Sequence, residues 1–242
     1  MMSYRAMKHW PRPQSLTLAV IALTFGSGAT DVACFTRLGG VFASVMTGNI
    51  VLGGLAVARG SVSLASHTAV SLAGYIAGVI GATRIAYRLR SASGSKSGEQ
   101  GGVWPGHVTW ALRAELVLLA GFTVGWEVSG ARPAGWAQFC LLATAAAAMG
   151  VQAGAARDMG LMEVTTTYLT GTLTGLVASL ARPGHKTPHR VRRFGVLIGL
   201  AAGASLSGLL IAADVAAAVP ALPLTALVAV LVLAGWNRPS RS

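Results

Sequence analysis

The run Leu38–Ala58 reads LGGVFASVMTGNIVLGGLAVA, 21 residues with no ionisable side chain and with Ser44, Thr47 and Asn49 as its polar positions. A spanning helix needs about 20 mostly apolar residues, so this run is long enough to cross a membrane. It is equally open to a second reading, in which it dips in and returns on the side it entered. The choice, taken alike for the sixth apolar run, fixes the sidedness of the loops between the two.

Seven further apolar runs surround it: Ser15–Ala33, Ala65–Tyr87, Thr109–Val128, Gly135–Ala155, Leu161–Ala181, Phe194–Ala213 and Val219–Trp236. Hydrophobic residues make up 53% of the 242-residue chain and charged residues 11%, against about 25% charged in an average soluble domain. That leaves too little polar surface for a water-soluble globule, and the apolar content excludes a disordered chain. Glycine, at 31 residues, is more frequent in transmembrane than in soluble helices. The reading is an all-α polytopic membrane protein, one integral membrane domain over residues 1–242, with eight hydrophobic helical segments of which six to eight span. Arg5, Lys8 and Arg12 before the first run resemble the start of a secretory signal, but the many later runs make that run a retained segment. The polar stretch Arg88–His107 reads as a flexible surface loop.

The chain repeats itself. Met46-Thr47-Gly48-Asn49 in the second run matches Leu169-Thr170-Gly171-Thr172 in the sixth, and Thr170 stands 123 residues after Thr47. A polar cluster precedes each, Asp31 to Arg37 and Gln152 to Arg157, and glycines follow each, Gly74 and Gly78, then Gly195, Gly199 and Gly203. Two repeats of four segments result, about 15–128 and 135–236. Internal repeats are a common plan in transporters.

The net charge of +12 is scattered between apolar runs, which suits topology signals and anionic lipid better than nucleic acid. With eight crossings and a cytoplasmic N-terminus, the Lys/Arg divide 12 inside and 6 outside, with Arg113 within a segment. If the second and sixth runs re-enter, the division becomes 15 inside and 3 outside (Arg37, Arg59, Arg132), and the halves are inverted relative to each other. The positive-inside tendency favours the second arrangement; the length and apolarity of both runs favour the first. Both termini are cytoplasmic in either.

Polar groups in hydrocarbon must face another helix or a cavity. Thr166, Thr170 and Thr174 share one helix face with Gly171 and Gly175, and Ser44, Thr47, Gly48 and Asn49 form the counterpart. Asp31, Arg113, Glu115, Glu127 and Glu163 are ionisable residues in apolar runs, each a site hypothesis. Arg113 and Glu115 are expected to find partners on other helices, Glu127 and Glu163 to reach the interface. Gly74/Gly78, Gly121/Gly125, Gly171/Gly175 and Gly199/Gly203 fit G-x-x-x-G and are expected to pack helices closely. Cys34 and Cys140 lack zinc or CxxC spacing and read as small buried hydrophobes. His185 and His189 lie in a basic, proline-containing loop unsuited to a metal. Gly26-Ser27-Gly28 resembles a nucleophile turn only superficially, because no histidine base is within reach.

Gly28-Ala29-Thr30-Asp31-Val32-Ala33, Leu38-Gly39-Gly40-Val41-Phe42 and Met46-Thr47-Gly48-Asn49 resemble the first-half signature of the YoaK-type family. Met149-Gly150-Val151-Gln152 with Thr166 to Thr172 resembles its second. The resemblance covers nearly the whole chain. It implies a bacterial inner-membrane, multi-pass α-helical protein carrying a domain of unknown function, of a kind labelled as small-molecule transporters without a fixed substrate. One departure is Ala153-Gly154, where the family has an amide after the Gln.

The function expected is secondary-type transport of an unidentified small molecule across the cytoplasmic membrane. Asp31, Thr47, Asn49, Gln152, Thr170 and Thr172 would line a site between the repeats, with any ion coupling through Asp31. The rival is a non-transporting assembly or sensing subunit whose polar helices bind other membrane helices. No enzymatic activity, cofactor, metal or nucleic acid is expected; the bilayer and a small molecule are the expected partners.

Overall fold

The structure is a computed structural model that describes residues 13–92, 106–158, 169–181 and 190–236. The described residues are helical and without strands: α1 (Pro13–Arg37), α2 (Met46–Ala58), α3 (Val62–Ala92), α4 (Gly106–Val128), α5 (Trp136–Asp158), α6 (Leu169–Leu180), α7 (Arg190–Ala212), a 3-10 turn at Ala216–Ala218 and α8 (Ala221–Trp236). Stretches in α1, α3, α4, α5, α7 and Ala216–Ala234 are long and apolar enough to cross a membrane. Residues 159–168 and 182–189, and with them Thr166, Glu163, His185 and His189, lie outside the described residues.

Leu38–Ala58 does not form one spanning helix, which removes the eight-crossing arrangement. Its helical part, α2, has 13 residues, about 20 Å at 1.5 Å per residue, against a hydrocarbon core of about 30 Å. The helix fails to start earlier because Gly39 and Gly40 take φ of +90° and +73°, left-handed values that end α1 and turn the chain back. A Cβ on Gly39 would also stand 2.1 Å from the His67 ring. Residues 38–45 form a loop in which Leu38, Val41, Ala43 and Ser44 are buried. The described part of α6 is shorter still, at 12 residues.

α1 and α5 form the centre: 67% of each apolar stretch is buried, against 28% in α3 and 22% in α7. α1 packs on α7 and α8, α5 on α3 and α4, α2 on α3 and α6 on α7. Glycine makes the two main crossings close. In the α3–α5 crossing, a Cβ on Gly78 would lie 2.1 Å from the Ala147 carbonyl oxygen, and one on Gly150 would lie 2.2 Å from that of Tyr75. In the α1–α7 crossing, a Cβ on Gly203 would lie 1.9 Å from the Phe25 carbonyl oxygen and one on Gly28 2.2 Å from that of Leu200. Gly74 and Gly199 sit one turn away, where an added Cβ would lie 2.6 and 3.0 Å from the Ala143 and Ile21 carbonyl oxygens. The packing expectation fails at Gly121 and Gly171, where a Cβ would meet nothing within 4 Å, because both lie on exposed helix faces. Gly125 and Gly175 meet only the side chains of Leu141 and Arg193. Cys34 is buried, but Cys140 is exposed, on the outer face of α5 where lipid contact suits a thiol.

Contacts place the helix ends in two groups. At one end, the Gln138 amide donates to the Arg37 carbonyl (2.8 Å), the Trp126 indole donates to the Ala216 carbonyl (2.9 Å), and Arg132 pairs with Asp214 (3.2 Å). At the other, His107 lies 3.9 Å from Asp158. If α2 returns to the Arg37 end, cysteines at Thr36 and Arg59 react with an impermeant maleimide from one side of sealed vesicles, and cysteines at Arg88 and Arg157 from the other, in a background lacking Cys34 and Cys140. Thr36 and Arg59 reacting from opposite sides would reject this topology.

Candidate functional site

The buried loop before α2 has backbone groups that neither water nor a helix ladder can satisfy, and in lipid each must find a partner. Asp31, six residues inside the end of α1, supplies part of the answer. Its Oδ1 accepts from the backbone N–H of Ala43 (2.9 Å) and Ser44 (2.8 Å), and its Oδ2 accepts from the Ser44 hydroxyl (2.5 Å). Asn49 supplies the rest. Its Oδ1 accepts from the Phe42 N–H (2.9 Å), and its Nδ2 donates to the Phe42 carbonyl (2.7 Å) and to Ser71 Oγ (2.9 Å). Ser71 itself donates to the same carbonyl (2.6 Å). Asp31 and Asn49 thus do the work of a missing backbone ladder and fix where α2 begins.

A second polar group crosses the centre of the bundle. Ser27 Oγ, on α1, donates to Gln152 Oε1 on α5 (2.8 Å), and Gln152 Nε2 donates to Glu115 Oε1 on α4 (2.8 Å). Ser27 and Gln152 are 2% and 6% exposed and Glu115 is 0%. At 1.5 Å per residue, Ser27 lies about 15 Å from the Arg37 end of α1 and Glu115 about 14 Å from the start of α4, near mid-depth. Glu115 Oε2 has no hydrogen-bond partner. A buried neutral polar atom left so costs roughly 1–3 kcal/mol, and a charged one more, so this orphan needs a reason.

The six residues expected to line one site are not brought together. Gln152 belongs to the mid-depth group, Asp31 and Asn49 to the loop, and Thr172 is buried on α6 (4% exposed). Thr47 and Thr170 are exposed on the outer faces of α2 and α6, so the structure corrects the expectation that they share a lining with Gln152. The cause is register. On either short helix, the buried position is two residues further on, at Asn49 and Thr172. Thr47→Val with Thr170→Val is therefore expected to leave stability in detergent within about 0.5 kcal/mol of wild type, as for surface changes away from special features; a clear fall in melting temperature would refute that placement.

Sequence reasoning missed Ser27 as a site residue, although its Gly-Ser-Gly neighbours mark a place where helices approach closely. It raised Glu115, and its expectation of a partner on another helix is met by Gln152. Arg113 instead lies over the ring of Trp110 on its own helix, at 5.0 Å. Glu127 is exposed near the end of α4.

Comparison with known proteins agrees with this architecture. The pattern of the family described as "Protein of unknown function (DUF1275)" matches residues 19–233. The chain is 32% identical over 164 residues to the "UPF0700 transmembrane protein YoaK" of Bacillus subtilis (strain 168), covering 68% of this chain and 66% of that protein, just under two thirds of its length. No solved structure matches. A family pattern spanning nearly all of a chain with six membrane-length helices leads to one conclusion: this multi-pass transmembrane protein belongs to the DUF1275 family, of the YoaK type.

Proposed function

We propose that the protein is a secondary-type transporter that carries a small molecule across the cytoplasmic membrane by opening alternately on either side of the enclosed mid-depth group of Ser27, Gln152 and Glu115. The observation that carries this reading is that polar group, which joins three helices where lipid surrounds the bundle. Ionisable residues at such depth are costly and rare, and where they occur they mark substrate and ion pathways.

The packing supports an inverted repeat around the site. Under the correspondence of α1 with α5 and α3 with α7, the Gly78–Ala147 and Gly150–Tyr75 approaches map onto Gly203–Phe25 and Gly28–Leu200. The offsets are 122 residues along α1 and α5 and 125 along α3 and α7. Asn49 and Thr172, which the repeat pairs, are both buried; Thr47 and Thr170, also paired, are both exposed. α1 and α5 run in opposite directions, so the halves are inverted, the plan in which one half rocks against the other around a central site. Arg84, Arg88, Arg157, Arg192 and Arg193 gather at the His107–Asp158 end, and Arg37, Arg59 and Arg132 at the other. By the positive-inside tendency the first end is cytoplasmic, and with it both termini.

The test is flux. Proteoliposomes holding the purified protein are challenged with a labelled metabolite panel chosen by substrate-induced thermal shift. Uptake by wild type and its loss in Gln152→Leu, with folding intact, is the expected result; no uptake of any panel member that shifts the melting curve would reject transport. The exposed hydroxyls of Thr47, Thr170 and Thr174 favour a second reading, an assembly or sensing subunit whose α2 and α6 bind other membrane helices. It predicts co-purifying membrane partners lost on Thr47→Val with Thr170→Val.

A further inference from the structure

Glu115 is fully enclosed. One carboxyl oxygen is held by Gln152 and the other has no donor. The charged groups described on the surrounding helices are engaged or placed elsewhere. On α4 itself, His107 lies by Asp158, Arg113 lies over Trp110, and Glu127 is exposed. On α5, Arg157 and Asp158 occupy the last turn. On α3, His67 contacts the Ser63 carbonyl and Gln138, and Arg84 and Arg88 are exposed. On α1, Asp31 is bound to the loop and Arg37 ends the helix. α8 carries no charged side chain within Ala221–Trp236. No described ion pair neutralises Glu115.

A carboxyl group held without a counter-ion in a dry, low-dielectric interior takes up the smallest available cation. Full enclosure keeps water from Glu115, and a proton is the one cation that a single unpartnered oxygen can hold by itself. We propose that Glu115 is a site that binds and releases a proton, with Gln152 and Ser27 as its positioning residues. Gln152 holds the carboxyl by donating to Oε1, and Ser27 braces the amide: its Oγ lies 2.8 Å from the Gln152 carbonyl oxygen and 3.1 Å from the Leu23 carbonyl, with one proton shared between the two acceptors. Gln152 is thereby oriented with its N–H toward Glu115, leaving Oε2 as the oxygen that gains and loses the proton. This deepens the transport reading and rests on it for its use: a proton exchanged at mid-depth from alternate sides is a driving ion. It also moves ion coupling from Asp31, whose oxygens hold the loop, to Glu115.

The test is infrared difference spectroscopy of the full chain in lipid nanodiscs between acid and alkaline pH, in the carboxyl C=O region and in H2O and D2O. The expected result is a deuterium-sensitive component lost in Glu115→Gln and retained in Asp31→Asn, with its pH midpoint displaced in Gln152→Leu. A Glu115→Gln spectrum superimposable on wild type across the whole range, or loss of the component in Asp31→Asn instead, would overturn the proposal. Should Glu115→Gln not purify as a monodisperse species, Glu115→Asp retains the carboxyl but moves it; an unmoved component then overturns the proposal. Absence of flux for every panel member with this component intact rejects transport and leaves the proton site standing.

Discussion

Gly203→Ala and Gly78→Ala are each expected to destabilise the protein strongly, whereas Gly121→Ala is expected to be neutral or mildly stabilising. The reason is what the added methyl meets. At Gly203 and Gly78 it would stand 1.9 and 2.1 Å from backbone carbonyl oxygens of the facing helix. A backbone oxygen cannot swing aside, so the helix pair must separate and lose its close packing over several turns. Overpacking of a well-filled core costs about 1–3 kcal/mol or more, and contact with rigid backbone belongs at the upper end of that range. At Gly121 nothing lies within 4 Å, and alanine gains roughly 0.5–1 kcal/mol over glycine inside a helix. The two crossings are formed by different helix pairs, so the double substitution is expected to add. Thermal unfolding in detergent, followed by the tryptophans, measures the four variants against wild type. Equal melting of Gly203→Ala and Gly121→Ala would mean that the α1–α7 crossing is not as close as described.

The contrast among these glycines marks how far the sequence could be read. Membrane class, eight segments and the glycine-rich character of the crossings were legible, because hydrocarbon admits few backbone solutions and apolar run length reports them directly. The register of the crossings was not legible. G-x-x-x-G selects Gly121/Gly125 as readily as Gly74/Gly78, since spacing says which residues share a face and not what that face meets. Gly28 and Gly150, where an added Cβ would meet a carbonyl oxygen almost as closely as at Gly78, belong to none of the four G-x-x-x-G pairs. Site residues divided in the same way. The polar cluster around Asp31 and Asn49 was visible, yet its role depends on a loop created by Gly39 and Gly40, two residues that look like ordinary members of an apolar run. Thr47 stands out in the sequence as much as Asn49, and only the 100° step per residue of a real helix separates an exposed hydroxyl from a buried amide.

That loop gives the second large effect. Asp31→Ala is expected to lose about 2–6 kcal/mol of stability, since two buried backbone N–H groups, of Ala43 and Ser44, lose their acceptor at roughly 1–3 kcal/mol each. Asp31→Asn is expected to lose much less. The amide oxygen can still accept from both N–H groups at the Oδ1 position, and its NH2 can donate to Ser44 Oγ, reversing the bond now made to Oδ2. A residue that served only to bind a passenger would behave differently: with no passenger present, alanine and asparagine would both melt like wild type. Asn49→Leu extends the argument, because it removes the acceptor for the Phe42 N–H and one of the two donors to the Phe42 carbonyl, leaving Ser71. It should therefore fall below Asp31→Asn in the same unfolding series. Asp31→Ala as stable as Asp31→Asn would show that the backbone of residues 43 and 44 is satisfied without this carboxylate, and the account of why α2 starts at Met46 would have to be abandoned.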